Sequence, residues 1–338
     1  MLIKRISIYP NNSGWAISET HSVMTDYLKK LEIKFCFSRF DIKTKYRYLN
    51  MRYQLNKSRQ FLVPVTPWQK YYIDYFHGGL YGEKEYEENL TSIVKTQKKI
   101  KGIRVIADIY NKLLISKNVD PKLIFKIPLS VNTDVYYPIE NIESEKIKIK
   151  LGIPKDSHLI GSFQKDGTGW GKGLEPKLIK GPDIFFKTLN ILKKDIHNLF
   201  VILTGPSRGY IKEKLRENNI QYRHFNADDI IFRSKLYNIL NGYLITSREE
   251  GGPNSFLESM ACCVPVVTTK VGHTSDIGDP GKDCFIVNSF NPQDIADEYL
   301  KMINTKDLNL LRNNMRQKAL LNSNGQNLNL WRNFFSIN

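Results

Sequence analysis

Glu250 and Glu258 stand eight positions apart in the stretch 247–272, S-R-E-E-G-G-P-N-S-F-L-E-S-M-A-C-C-V-P-V-V-T-T-K-V-G. A carboxylate accepts hydrogen bonds from hydroxyls, so such a pair is a natural clamp for a sugar or a ribose diol. Gly251 and Gly252 let the backbone approach a ligand closely, and Pro253 suits the start of a helix because its missing N–H costs nothing there. The amides of Asn254, Ser255 and Phe256, with Leu257 behind them, then point at a ligand from a helix N-terminus, where the dipole favours a phosphate. The spacing alone also allows a plainer reading, in which the glutamates cap the dipole and stay solvated.

Two cations shift the balance. Lys165 follows the apolar run Gly161-Ser162-Phe163-Gln164, and Lys180 stands in Lys180-Gly181-Pro182-Asp183, just before a helix. Lysines at two loop positions over one crevice can neutralise a diphosphate leaving group as its negative charge builds.

The elements that must position these residues follow from periodicity and punctuation. Strands are predicted at 4–9, 33–37, 61–65, 72–76, 103–107 and 124–128, and helices at 16–31, 83–101 and 109–118. Residues 41–57, with Tyr46, Tyr48 and Tyr53 among lysines and arginines, read as an amphipathic helix with snorkelling cations. The strand at 72–76 delivers His77-Gly78-Gly79 to its carboxyl end, and Gly14 lies in the loop between the first strand and the first helix. Both are places where doubly wound domains approach a ligand. Residues 141–150 break the pattern with a polar, charged stretch. The second half alternates strand and helix more cleanly, with strands at 159–163, 200–203, 222–225, 243–246 and 264–268. This alternation predicts an α/β chain of two facing, Rossmann-like doubly wound domains with a cleft between them. Their expected extents are 1–140 and 141–324, with the aromatic segment 325–338 returning to the first.

The chain has 338 residues and is 41% hydrophobic, enough for two sizeable cores. The formal charge is +16, spread along the chain with no recognisable nucleic-acid module, so no nucleic-acid partner is expected. The surplus predicts a peripheral contact with anionic lipid at the inner membrane face. The opening residues carry no apolar signal core, which predicts a cytoplasmic protein. Cys36, Cys262, Cys263 and Cys284 match no zinc spacing and read as small buried hydrophobes. No Asp-x-Asp occurs, so no metal and no cofactor are expected.

These segments together resemble the retaining nucleotide-sugar glycosyltransferases of family GT4, with the two-Rossmann GT-B fold. The resemblance rests on 161–165, 180–183, Thr204-Gly205-Pro206, 247–253 through Glu258-Ser259-Met260-Ala261, Val264-Pro265-Val266-Val267 and Val271-Gly272. Ile127-Pro128-Leu129-Ser130-Val131-Asn132 is similar to the family's interdomain segment, with Ser for its Gly and Asn for its Asp. The likeness is strong over 127–300 and weak before it. It implies that Glu258 holds the nucleotide ribose and that Glu250 contacts the transferred sugar. It also implies that Lys165 and Lys180 bind the diphosphate; the family has Arg at the first, and neighbouring Lys172 is a second candidate. The amides of 254–257 would hold a phosphate, Phe225 and Asn226 would face the base, and His77 and Gly14 would approach the donor from the first domain. The expected reaction is metal-independent, retaining transfer of a hexose-type sugar to a glycan or lipid-linked acceptor in surface polysaccharide assembly. The alternatives are a sugar-nucleotide epimerase of the same fold and a non-catalytic protein that binds sugar nucleotides or nucleic acid. Glycoside hydrolysis fits less well, because the cations point to a charged leaving group.

Overall fold

Two parallel sheets organise the chain in the computed structural model, which describes residues 1–10, 16–38, 41–50, 67–81 and 84–336. By contacts, Met1–Ser130 and Asn324–Asn338 form one unit and Val131–Ser323 the other.

The first unit holds β1 (Arg5–Ile8), β2 (Lys34–Phe37), β3 (Tyr46–Asn50), β4 (Lys70–Tyr75), β5 (Ile100–Val105) and β6 (Ile124–Lys126), in the order β2-β1-β3-β4-β5-β6. Successive side chains of a strand point to opposite faces, and both faces here are covered. Tyr72 joins Ile6, Ile8, Met24 and Leu28 on one side, while Ile73 and Tyr75 join Leu90, Ile93 and Tyr110 on the other. The helix Leu328–Phe334 completes the first of these cores. Trp331 lies 4.9 Å from the Arg104 guanidinium, and Phe334 lies where a Cβ on Gly102 would come within 2.7 Å of it. Each such aromatic contributes about 2–3 kcal/mol by burial.

Three expectations for this half need correction or fall outside the described residues. The helix expected over 41–57 is not formed in its described part, 41–50: Tyr46–Asn50 is β3, hydrogen-bonded between β1 and β4, and 51–57 lie outside the described residues. The reason is local. The carboxylate of Asp41 accepts from the amides of Lys43 and Thr44 at 2.8 and 3.0 Å, making a tight turn, and Arg47 is fully buried with its guanidinium donating to the Ser38 carbonyl at 3.2 Å. The helix expected over 83–101 is Lys84–Thr96, because a 3-10 turn at Gln97–Lys99 feeds straight into β5. The strand expected at 61–65 lies outside the described residues.

The second unit holds β7 (His158–Phe163), β8 (Leu199–Thr204), β9 (Gln221–Phe225), β10 (Gly242–Ile245), β11 (Val266–Thr269) and β12 (Phe285–Val287), in the order β12-β11-β10-β7-β8-β9. The chain winds one way from β7 and the other way from β10. The carboxyl ends of these two neighbours therefore form the topological switch point, where open α/β sheets leave a crevice. Residues 141–150, the polar, charged stretch that breaks the alternation, form the helix Asn141–Lys150, which buries none of its residues and is tied to the rest of the second unit by Ser144 Oγ donating to the Asn238 carbonyl at 3.0 Å.

Candidate functional site

Lys180 closes the 3-10 turn Leu178–Lys180, and Gly181 follows in the left-handed region at φ +64° before the helix Pro182–Leu192. Only glycine fits there without strain, and a Cβ at Gly181 would overlap the Thr246 carbonyl oxygen. This turn is laced to the segment after β10. The Arg248 amide donates to the Ile179 carbonyl at 2.8 Å, and the Thr246 hydroxyl to the Gly181 carbonyl at 2.9 Å. The Arg248 guanidinium grips Asp183 with both arms, at 2.8 and 2.7 Å. Burial opposes ionisation of Asp183, but the paired guanidinium overcomes it and holds the carboxyl below its usual range. The result delivers Lys180 to Glu250: its ammonium donates to Oε1 at 2.5 Å, and the Ser247 hydroxyl donates to the same oxygen at 3.0 Å.

Glu258 lies in the second turn of the helix Asn254–Ala261 and is only 5% exposed. Its Oε2 accepts from the Tyr237 hydroxyl at 2.7 Å, and Arg233 stands 3.5 Å from Oε1. Arg233 and Tyr237 are four residues apart on the helix Ile230–Tyr237, so both reach the carboxylate from one face. Burial, and then the charge of Glu258, push the Tyr237 hydroxyl far above its usual range, so it stays protonated and donates. Around them, Phe163 packs edge-on to Tyr237 at 4.7 Å and to Tyr243 at 5.4 Å. The Tyr243 hydroxyl accepts from the Phe163 amide at 2.6 Å, and burial raises its pKa to about 12.

Pro253 is the N-cap of the Asn254–Ala261 helix, and no acidic residue occupies its first turn. The positive end of the dipole is therefore left open to an anion. The Phe256 amide donates to the Pro253 carbonyl at 3.0 Å, and Leu257 stands where the intrahelical ladder begins. The amides of Asn254 and Ser255 are those in the first turn that a helix leaves without an intrahelical acceptor. Gly252, two residues before Asn254, is buried.

Lys165 sits beyond β7. Its ammonium donates to the Gly167 carbonyl at 3.1 Å and lies 4.9 Å from the centre of the Trp170 ring. Gln164 beside it donates to the Lys180 carbonyl at 3.3 Å, which joins the two lysine loops. Lys172 is exposed on the same loop, its carbonyl accepting the Gly209 amide at 2.8 Å. Phe225 ends β9, two strands from β7, with Asn226 exposed after it and the Phe232 ring 5.9 Å from Phe225. The His224 Nε2–H donates to the Gly205 carbonyl at 2.8 Å, and burial lowers the pKa of the ring.

The structure thus brings Lys180 to Glu250 and sets Glu258 in its own cage on the same unit. His77 belongs to the first unit, at the carboxyl end of β4, where its ring lies 5.6 Å from Phe76 and 6.1 Å from Tyr86. Gly14 lies outside the described residues. Sequence reasoning missed Arg233, Tyr237, Tyr243 and the Arg248–Asp183 clamp. It also missed a fully buried pair, Arg208 to Asp166 at 2.9 Å, whose guanidinium also donates to the carbonyls of Ser162, Gln164 and Thr204. That pair braces the loop carrying Lys165. A buried guanidinium needs several acceptors at once, and only the folded sheet assembles them. Among the described residues no group of three or more His, Cys, Asp or Glu side chains could hold a metal, and no helix is long and apolar enough to cross a membrane.

Residues 173–305, which include Lys180, Glu250 and Glu258, match the family model "Glycosyl transferases group 1". An uncharacterized glycosyltransferase of Methanocaldococcus jannaschii is 34% identical over 174 residues, covering 50% of this chain and 47% of that one. Protein 356 of Sulfolobus islandicus rod-shaped virus 1, also uncharacterized, is 30% identical over 171 residues, 47% of this chain and 46% of that one. The chain thus spans about half the length of the curated relatives it matches. Among solved structures, Anabaena HepE in complex with UDP-glucose superposes with a TM-score of 0.73 at 15% identity, over 96% of this chain and 97% of that one. TarM of S. aureus gives 0.65 at 16% identity, over 93% of this chain and 58% of that one. At such identities the likeness establishes the fold, which is GT-B: two Rossmann-like units, each on a six-stranded parallel sheet.

Proposed function

We propose that this protein is a glycosyltransferase that moves a sugar from a nucleoside diphosphate donor to a hydroxyl of a glycan or lipid-linked acceptor, with retention and without a metal ion. The observation that carries the reading is the Lys180–Glu250 pair at the β7–β10 switch point, inside the segment that matches the glycosyl transferase model. An ammonium has three donors; Lys180 gives one to Glu250 and has others to offer a phosphate. Glu250, its charge balanced by Lys180, faces the transferred sugar and stabilises the positive charge that develops as the bond to the diphosphate breaks. Glu258 keeps Oε2 on Tyr237 and receives the ribose hydroxyls on the rest of its carboxylate. The amides of Asn254 and Ser255 receive a phosphate at the positive end of their helix. Lys165, or Lys172 on the same loop, adds the second cation.

The donor class is supported by HepE, whose structure holds UDP-glucose, and the acceptor class by TarM, whose structure holds fondaparinux, alpha-GlcNAc-glycerol and UDP. With no Asp-x-Asp in the chain, the lysines and the helix terminus do the charge neutralisation that a divalent cation would otherwise supply. The proposed setting is surface polysaccharide or lipid-linked glycan assembly at the cytoplasmic membrane face. A thermal-shift series with UDP-, GDP- and ADP-sugars tests the reading, since a bound donor stabilises by mass action. One donor class should raise the melting temperature of the wild type and not of Glu258→Ala. An equal shift in both removes Glu258 from the site, and donor epimerised without acceptor points to the epimerase instead.

A further inference from the structure

The amino ends of the first sheet's strands carry a pattern that the second sheet lacks. A lysine or arginine is the first residue of the strand, or the one before it, in five of the six strands of the first sheet: Arg5, Lys34, Lys45, Lys70 and Lys99. In the second sheet none of the six strands opens this way. The parallel register sets these cations in one row. Arg5 lies opposite Lys34, the Lys45 carbonyl accepts the Lys70 amide at 2.8 Å, and the Lys70 ammonium reaches the Lys98 carbonyl at 3.3 Å. Arg5 and Lys34, with Lys29, also line a surface cavity of about 570 Å³.

The nearby carboxylates, Asp26, Glu32 and Asp41, are fewer than the five cations of the row. Asp26 pairs with Lys29 at 3.2 Å, and Asp41 is engaged by the turn amides of Lys43 and Thr44 and by the Thr44 hydroxyl. These bonds outweigh its burial and hold its pKa near 2. Glu32 stands exposed beside the cavity. Two large apolar side chains emerge on the same edge: Trp68 is 57% exposed and Ile42 49%. They are joined, since the Trp68 indole donates to the Ile42 carbonyl at 3.2 Å, and buried Gln69 fixes the turn by donating to the carbonyls of Asp41 and Thr44. An exposed indole beside a cationic row matches the headgroup region of a bilayer, where Trp prefers to sit and anionic lipid attracts lysine.

We infer that the amino-terminal edge of the first sheet is the docking surface of this protein on an anionic lipid bilayer, with the Trp68–Ile42 pair entering the interface and the strand-start cations lying on the headgroups. The surface is independent of the glycosyl-transfer reading. It lies at the opposite end of β4 from His77, roughly 20 Å away for a strand of six residues. Docking therefore leaves the carboxyl ends of these strands clear of the lipid.

Co-sedimentation of the full chain with vesicles tests this. The wild type should bind phosphatidylglycerol/phosphatidylcholine vesicles, release with added salt, and ignore pure phosphatidylcholine. Lys34→Glu/Lys45→Glu/Lys70→Glu should weaken partitioning by about a hundredfold or more, from roughly 1 kcal/mol for each cation. Trp68→Ala should weaken it further at unchanged charge. The control Lys187→Glu/Lys235→Glu/Lys306→Glu alters the net charge equally on exposed positions of the second unit and should bind nearly as the wild type does. Equal loss in the control means that net charge, not this edge, governs binding, and overturns the inference. So does binding to pure phosphatidylcholine, or tighter binding of RNA than of anionic vesicles through the same three lysines. Far-ultraviolet circular dichroism of each variant separates lost docking from lost folding.

Discussion

Replacing Tyr237 by Phe removes one oxygen and leaves the ring, so its contacts with Phe163 and Tyr243 persist. What is lost is the 2.7 Å bond to Oε2 of Glu258, a carboxylate 5% exposed. A buried hydrogen bond to a charged group contributes about 1.5–3 kcal/mol. We expect a loss of about 2 kcal/mol. For a unit spanning Val131–Ser323, that lowers the melting temperature by roughly 4–8 °C, measured by scanning calorimetry. Tyr299→Phe serves as the comparison. It breaks a 2.8 Å bond to His158, a neutral pair remote from the proposed donor site, and should cost about 1 kcal/mol. The two variants should also part company in function. Tyr237→Phe frees Glu258 to turn, so donor affinity should fall about tenfold with turnover little changed, as expected for binding shared by ground and transition states. Tyr299→Phe should leave donor affinity alone. If Tyr237→Phe melts with the wild type and binds donor equally well, the cage does not hold Glu258 and the ribose assignment loses its physical basis.

Other outcomes follow from the same geometry. Gly181→Ala forces a Cβ against the Thr246 carbonyl at φ +64°; it should destabilise the second unit by about 2 kcal/mol or more and depress turnover by displacing Lys180. Circular dichroism and single-turnover assays on the soluble variant read the two effects separately. Burial lowers the pKa of His158 and of His224 below the ordinary 6.5. The unfolded chain then takes up their protons first, so stability should fall as pH drops below about 6.5. His158→Gln should flatten part of that slope; a melting temperature indifferent to pH between about 7 and 5 contradicts it.

The donor half of the proposed site was more legible than its supports. Glu250, Glu258, Lys165 and Lys180 stand out because glycines and a proline punctuate the chain beside them. Tyr237 and Arg233 sit on an ordinary-looking helix, and only the fold reveals that they face Glu258. Arg208 and Asp166 lie on different loops, with no spacing rule to join them. In the first unit, β3 imitates an amphipathic helix in sequence, because Arg47 is buried where alternation predicts solvent exposure and tyrosines and basic residues are mixed around it. Residues 141–150 conceal a helix for the opposite reason. Their helix buries nothing, so no apolar stripe announces it.

The return of the last residues to the first unit has a consequence for biosynthesis. Trp331, Phe334 and Phe335 are part of the core that packs on Ile6, Tyr27 and Tyr72. The second unit is complete once Ser323 has left the ribosome, but the first still lacks three of its largest core side chains. Unit by unit, folding during synthesis ordinarily runs from the amino terminus. Here the order is inverted: the half made first is the half finished last.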